Sequence, residues 1–171
     1  MARTPLRPDI AVARMNARFS LGSGRELGRL EDLLTGDETV EAMVQGRSQG
    51  CFGLLVLTDA RLLFVCDGII WKVNDDVALA RISLVQWQTV FGFGALTVHV
   101  AGTALQFTGL TGPGGTAILR GLRESLAEKD QLERQVREGL IALAAHFKPD
   151  PLPDSVPADL AGAGHEFAAN V

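Results

Sequence analysis

The stretch Gly50-Cys51-Phe52-Gly53-Leu54-Leu55-Val56-Leu57-Thr58-Asp59-Ala60-Arg61-Leu62-Leu63-Phe64-Val65-Cys66-Asp67-Gly68-Ile69-Ile70-Trp71-Lys72-Val73 decides the fold class of this chain. Two apolar runs, Leu54 to Leu57 and Leu62 to Val65, flank a short polar break at Thr58 to Arg61. That is the pattern of a tight β-hairpin. A second break at Asp67-Gly68 leads into a third run, Ile69 to Val73. Asp-Gly suits a two-residue turn because both central positions of a type I′ turn need positive φ. The middle of the chain therefore reads as an antiparallel meander.

Strand patterns continue on both sides. Val40 to Gly46 alternates Val40, Ala42 and Val44 against Glu41, Met43 and Gln45. Ala78 to Leu84 and Val85 to Phe91 carry β-branched and aromatic residues, as two strands or one long bent strand. Ala95 to Val100 alternates again, Ala101-Gly102 is a turn, and Thr103 to Phe107 ends the series. Short strands at close, even spacing predict a sandwich or small barrel. Asp75-Asp76 reads as a solvated loop pair.

Helical spacing brackets the strands. Ser23 with Glu26 matches a capping box ahead of Leu27, Leu30, Leu33 and Leu34, and Gly36 is a plausible stop. After Gly112-Pro113-Gly114-Gly115, Thr116 can cap a helix through Ile118, Leu119, Leu122 and Leu126. Lys129-Asp130 reads as a kink or break before a second amphipathic helix. These signals divide the chain into a basic arm at 1–22, a β-rich domain at 23–127, an additional helix at 128–148 and an acidic Pro/Ala/Gly-rich tail at 149–171. The arm is too short for a core of its own, so it becomes ordered only against something else.

The chain has 171 residues and a net charge of −4, distributed unevenly. Residues 1–30 carry +4, residues 31–111 carry −5, residues 112–148 carry +1 and residues 149–171 carry −4. Opposite ends of this kind attract within a chain or between copies. No apolar run approaches the roughly 18 residues of a membrane span, and the N-terminus has no apolar segment of a secretory signal, so a cytoplasmic protein is expected. Cys51 and Cys66 fit a reducing compartment as small apolar fillers. A turn at Asp59-Ala60 would put them one diagonal step apart on one face, where a disulfide is conceivable but is not the expected geometry. They and the scattered His99, His146 and His165 make no metal-ligand spacing. No Ser-His-Asp or Cys-His ordering and no paired carboxylates stand out, so neither an enzyme nor a cofactor is expected.

Several segments, with a short leader helix, seven strands and a C-terminal helix, resemble the bacterial pleckstrin-homology-like (PH-like) domains of the YokE type. They are Leu34-Thr35-Gly36-Asp37-Glu38, the hairpin Gly53 to Val65, Arg81-Ile82-Ser83-Leu84 and Gly94-Ala95-Leu96-Thr97-Val98. The resemblance covers about residues 24–127. It implies a mainly β fold with helices: a seven-stranded antiparallel, partly open barrel or sandwich with a leader helix and a C-terminal capping helix, here followed by the additional helix. It also implies a non-catalytic platform for lipids, peptides or proteins. Phosphoinositide-binding members use a basic cluster in the first hairpin loop. The matching loop here, Gly46 to Gly50, offers Arg47 alone, which argues against anionic-lipid binding by the barrel.

Candidate binding residues follow. Leu132, Val136, Leu140, Leu143 and Phe147 form a stripe that needs a surface to bury against: the barrel, a second copy or another protein. Phe91 and Phe93 lie among glycines, either as an exposed tip for a partner groove or membrane, or as a barrel-closing bulge with inward rings. Arg61 either pairs with Asp59 or Glu41 or, like Arg47, contacts an anion. Trp71 and Trp87 read as core or sheet-face residues, and His99 as solvent-facing. The expected function is protein–protein binding or assembly, with homo-oligomerisation plausible. A membrane surface reached through the Arg-rich arm is the alternative, and nucleic acid ranks lower because no basic face with aromatics accompanies the arm.

Overall fold

The computed structural model describes residues 6–17, 24–67 and 72–146. It comprises two units, Met1–Arg134 and Gln135–Val171. The elements are α1 (Pro8–Ala17), α2 (Gly24–Leu33), β1 (Val40–Ser48), β2 (Cys51–Thr58), β3 (Arg61–Asp67), β4 (Lys72–Ala78), a 3-10 turn (Leu79–Arg81), β5 (Ile82–Val90), β6 (Phe93–Val100), β7 (Thr103–Leu110) and α3 (Gly112–His146). The strands form one antiparallel sheet in the order β4-β3-β2-β1-β7-β6-β5. Seven antiparallel strands with N-terminal helices and a C-terminal helix make a PH-like fold.

The β2–β3 hairpin closes at Asp59-Ala60 as its apolar runs predict, with Leu54 opposite Val65 and Leu57 opposite Leu62. These runs are continuous rather than alternating because both faces of the hairpin are buried. Leu55, Leu57, Leu62 and Phe64 point into a core completed by Ile82, Leu96, Val98, Phe107, Ile118 and Leu122. The Phe64 and Phe107 rings meet there at 5.7 Å, joining the two halves of the sheet. Leu54, Val56, Leu63 and Val65 point the other way, into a second cluster with Ile10, Ala13 and Ala17 of α1 and Leu27 and Leu30 of α2. A bulge between Val40 and Ala42 lets Val40 and Met43 share that second face.

Residues 8–17 of the arm order as a helix against β1, because the outer face of the first half-sheet offers apolar surface for Ile10, Ala13 and Ala17. Other expectations are corrected. The strand after Asp67-Gly68 runs from Lys72 to Ala78 and takes in Asp75-Asp76, so those carboxylates lie in an edge strand rather than a loop. Asp76 is exposed there and pairs with Arg61, and charge on an edge strand discourages pairing with another chain. Ile82 to Val90 is one strand, and a 3-10 turn over Leu79–Arg81 separates it from β4.

The expected capping helix and additional helix are a single helix, Gly112–His146, with no break at Lys129-Asp130. Lys129 and Asp130 are compatible with helix, and Lys129 extends to the Ala80 and Ile82 carbonyls at 3.0 and 3.4 Å. Thr116 is not the cap, since its hydroxyl donates back to the Pro113 carbonyl inside α3. Gly114 in the first turn lies directly on the Met43 carbonyl, where any Cβ would overlap it. The capping-box Ser23, Trp71, Phe147 and the tail lie outside the described residues.

Candidate functional site

Arg61 is held in an ion-pair knot below the β2–β3 turn. Its Nε and Nη2 donate to the two Glu38 oxygens, each at 2.7 Å, in a bidentate pair. Nη2 also donates to the Leu33 carbonyl at 2.9 Å, and Nη1 meets Asp76 at 2.5 Å. Thr58 donates its hydroxyl to Glu38 at 2.8 Å and accepts from the Arg61 backbone N–H at 2.9 Å. Hydrogen bonds from Arg61 hold the Glu38 carboxyl down at about 2 against the cost of burial, with Thr58 helping. The same pair raises Arg61 above its ordinary value.

The partners are Glu38 and Asp76, not the Asp59 or Glu41 that proximity suggested. With its donors turned onto two carboxylates, Arg61 is a structural tie of α2, β1 and the hairpin. A second tie holds α1. Asp9 accepts from the Val40 N–H at 2.9 Å and pairs with Arg7 at 3.0 Å, and Arg7 also reaches the Glu38 carbonyl. Burial pushes the Asp9 carboxyl up, but the Val40 N–H, Arg7 and the Ile10 N–H bring it below its usual range.

Arg47 stands exposed at the β1–β2 hairpin opposite Phe52, without an ion pair among the described residues. At the β5–β6 hairpin, Phe91 and Gly92 have φ of +50° and +82°, as a type I′ turn requires. Phe91 is 96% exposed, and the cross-strand pair Val90–Phe93 beside it is also open. The phenylalanine rings therefore point outward and form a tip. Trp87 is half-buried against the core, over Gly94 and Gly115. His99 is half-buried, between Leu84 and Ala104 in register.

Cys51 and Cys66 are joined as a disulfide between β2 and β3, with Cα atoms 6.4 Å apart. That replaces the expectation of two separate fillers. The diagonal placement read from the turn is correct, and it suffices to bring the sulfurs together.

The α3 helix changes character along its length. Ile118 and Leu122 are buried, whereas every residue from Asp130 to His146 is exposed. Leu132, Val136, Leu140 and Leu143 are each between 55% and 70% exposed, and Ile141 joins them at 63%. A cleft of about 700 Å³ lies between α1, β1 and the start of α3, with Glu41, Thr116 and Arg120 among its lining residues.

Among the described residues no group of three or more His, Cys, Asp or Glu could hold a metal, and no helix is long and apolar enough to cross a membrane. No family model and no curated protein matches the chain. Among solved structures it is similar to the Vps36 N-terminal PH domain, at 14% identity and a TM-score of 0.45 over 58% of this chain and 86% of that one. It is also similar to a DUF1696-family protein with a pleckstrin-homology domain from Shewanella loihica, at 14% identity and a TM-score of 0.45, over 63% of this chain and 99% of that one. Element order and sheet topology by themselves define the PH-like fold.

Proposed function

We propose that this chain is a non-catalytic PH-like binding module of the bacterial YokE type. It assembles with protein partners and associates with itself. The carrying observation is the exposed stripe Leu132, Val136, Leu140 and Leu143 on α3. Exposed side chains of this size at helical spacing lose free energy in water and gain it on docking, at roughly 25 cal/mol per Å² buried. Phe147 continues the spacing in the sequence. The test is native mass spectrometry of the full-length protein purified from its own cells, beside the Val136→Glu/Leu140→Glu variant. A defined oligomer or stoichiometric partner, lost in the variant, is expected. A strict monomer, or a complex unchanged by the variant, rejects α3 as the contact.

A second reading is favoured by one observation, the fully open Phe91 tip, which suits insertion into a membrane surface. Exposed Arg14, Arg25 and Arg29 on α1 and α2 would add attraction to anionic lipid of roughly 1 kcal/mol per charge. Co-sedimentation with anionic vesicles, lost in high salt and in Phe91→Asp, supports it. No sedimentation at low salt rejects it.

A further inference from the structure

From Ile82 through Leu119 the chain contains no Asp, Glu, Lys or Arg. In the fold this interval is the half-sheet β5-β6-β7 with the first turns of α3. Its inner residues, Ile82, Leu96, Val98 and Phe107, belong to the core. The outer residues form cross-strand rows: Leu84–His99–Ala104, then Gln86–Thr97–Gln106, then Gln88–Ala95, then Val90–Phe93. Leu84, Gln86, Gln88, Val90, Phe93, Ala104 and Gln106 are exposed, and Ala95, Thr97 and His99 are half-buried.

The other half-sheet is treated differently. Its outer face is covered by α1 and α2. Its edge strand β4 carries Asp75 and Asp76, which guard against pairing. The opposite edge, β5, pairs with β6 alone among the described strands and has no charge and no proline along its length. A face without charge, rich in amides and hydroxyls and bordered by open aromatic and aliphatic side chains, has the composition of an interface core.

We propose that the outer face of β5-β6-β7 is a docking surface for the same face of a second copy of this chain. Charge selects the occupant. A nucleic acid or an anionic membrane needs a cluster of cations; these three strands carry none, and Arg47 of β1 stands only at their border, beside Thr108. A two-fold contact sets one patch against itself, so a patch of single sign repels its copy. This patch is free of that penalty. Gln86, Gln88 and Gln106 each carry a donor and an acceptor in one amide, so two identical faces satisfy one another. Ala95, Thr97 and Ala104 keep the centre flat enough for close approach. The proposal rests on reading the chain as an assembly module but not on α3 as the contact.

The test places like charge on the face at exposed positions that the fold does not use. Sedimentation-velocity analysis is run on the full chain, on Gln86→Lys/Gln106→Lys, on Gln86→Glu/Gln106→Glu and on an equimolar mixture of the two. Each is repeated in the Val136→Glu/Leu140→Glu background, so that association through α3 neither masks nor mimics the result. The expected outcome is a self-associating parent, each single-sign variant weakened ~10-fold or more, and association restored in the mixture. Restoration is specific to an isologous face, because only there does a lysine of one copy meet a glutamate of the other. A monomeric parent overturns the proposal. So does unchanged association of the lysine variant, or failure of the mixture to recover. If only the α3 variant dissociates, the face is rejected and the α3 reading stands.

Discussion

Glu38 is the residue on which the base of the sheet depends. It is buried, and both of its oxygens face Arg61. Removing one member of a buried pair leaves the other desolvated, so Arg61→Ala should destabilise the fold by about 3 kcal/mol or more. Asp76→Asn should cost under about 1 kcal/mol, because that carboxylate is half exposed. Urea denaturation of the two variants checks the ranking. The carboxyl of Glu38 ionises near 2 in the folded chain against an ordinary 4.5 in the unfolded one. The unfolded state therefore binds the proton first. The stabilisation, of order 3 kcal/mol, is complete above pH 4.5 and is lost as pH falls from there towards 2. Stability measured across that range should flatten in Glu38→Gln, after an overall loss. Charge proximity along the chain pointed to Asp59 or Glu41. Glu38 and Asp76 win because the fold brings the loop before β1 and the neighbouring strand β4 up to Arg61, which spacing alone does not encode.

At the scale of elements, two glycines of α3 should respond oppositely to alanine. Gly114 sits on the Met43 carbonyl, so Gly114→Ala forces the helix start away from β1 and should cost about 2 kcal/mol. Gly139 has open space around it, so Gly139→Ala should stabilise the helix by about 1 kcal/mol. Thermal unfolding of both variants decides it. The turn and register of the β2–β3 hairpin are legible, because the turn lies between two unbroken apolar runs. The continuation of β4 past Val73 is not, since Asn-Asp-Asp favours loops and only pairing with β3 overrides that preference. The first helix is illegible for a related reason. Its stripe is only Ile10, Ala13 and Ala17, too weak to detect without the sheet face it covers.

At the scale of the whole molecule, the chain covers one outer sheet face with its own helices and leaves the other free of charge. The α3 stripe was readable from its four-four-three spacing, and its exposure is the added fact from the structure. The outward aim of Phe91 and Phe93 could not be read, because a bulge and a tight turn share the same glycine pattern; positive φ at Phe91 and Gly92 identifies the turn. Deleting residues 1–17 should lower stability by several kcal/mol by exposing Val40, Met43 and Val56, and differential scanning calorimetry would measure it.

Hydrophobic periodicity and turn chemistry determined the strands, the meander and the PH-like order of elements, since these are local properties of backbone and side chain. Only the tertiary structure decided which carboxylates Arg61 meets, which cysteines touch, which face α1 and α2 cover and which apolar residues stay in water. Those outcomes depend on residues distant in the chain competing for the same buried space, and no local pattern ranks the competitors.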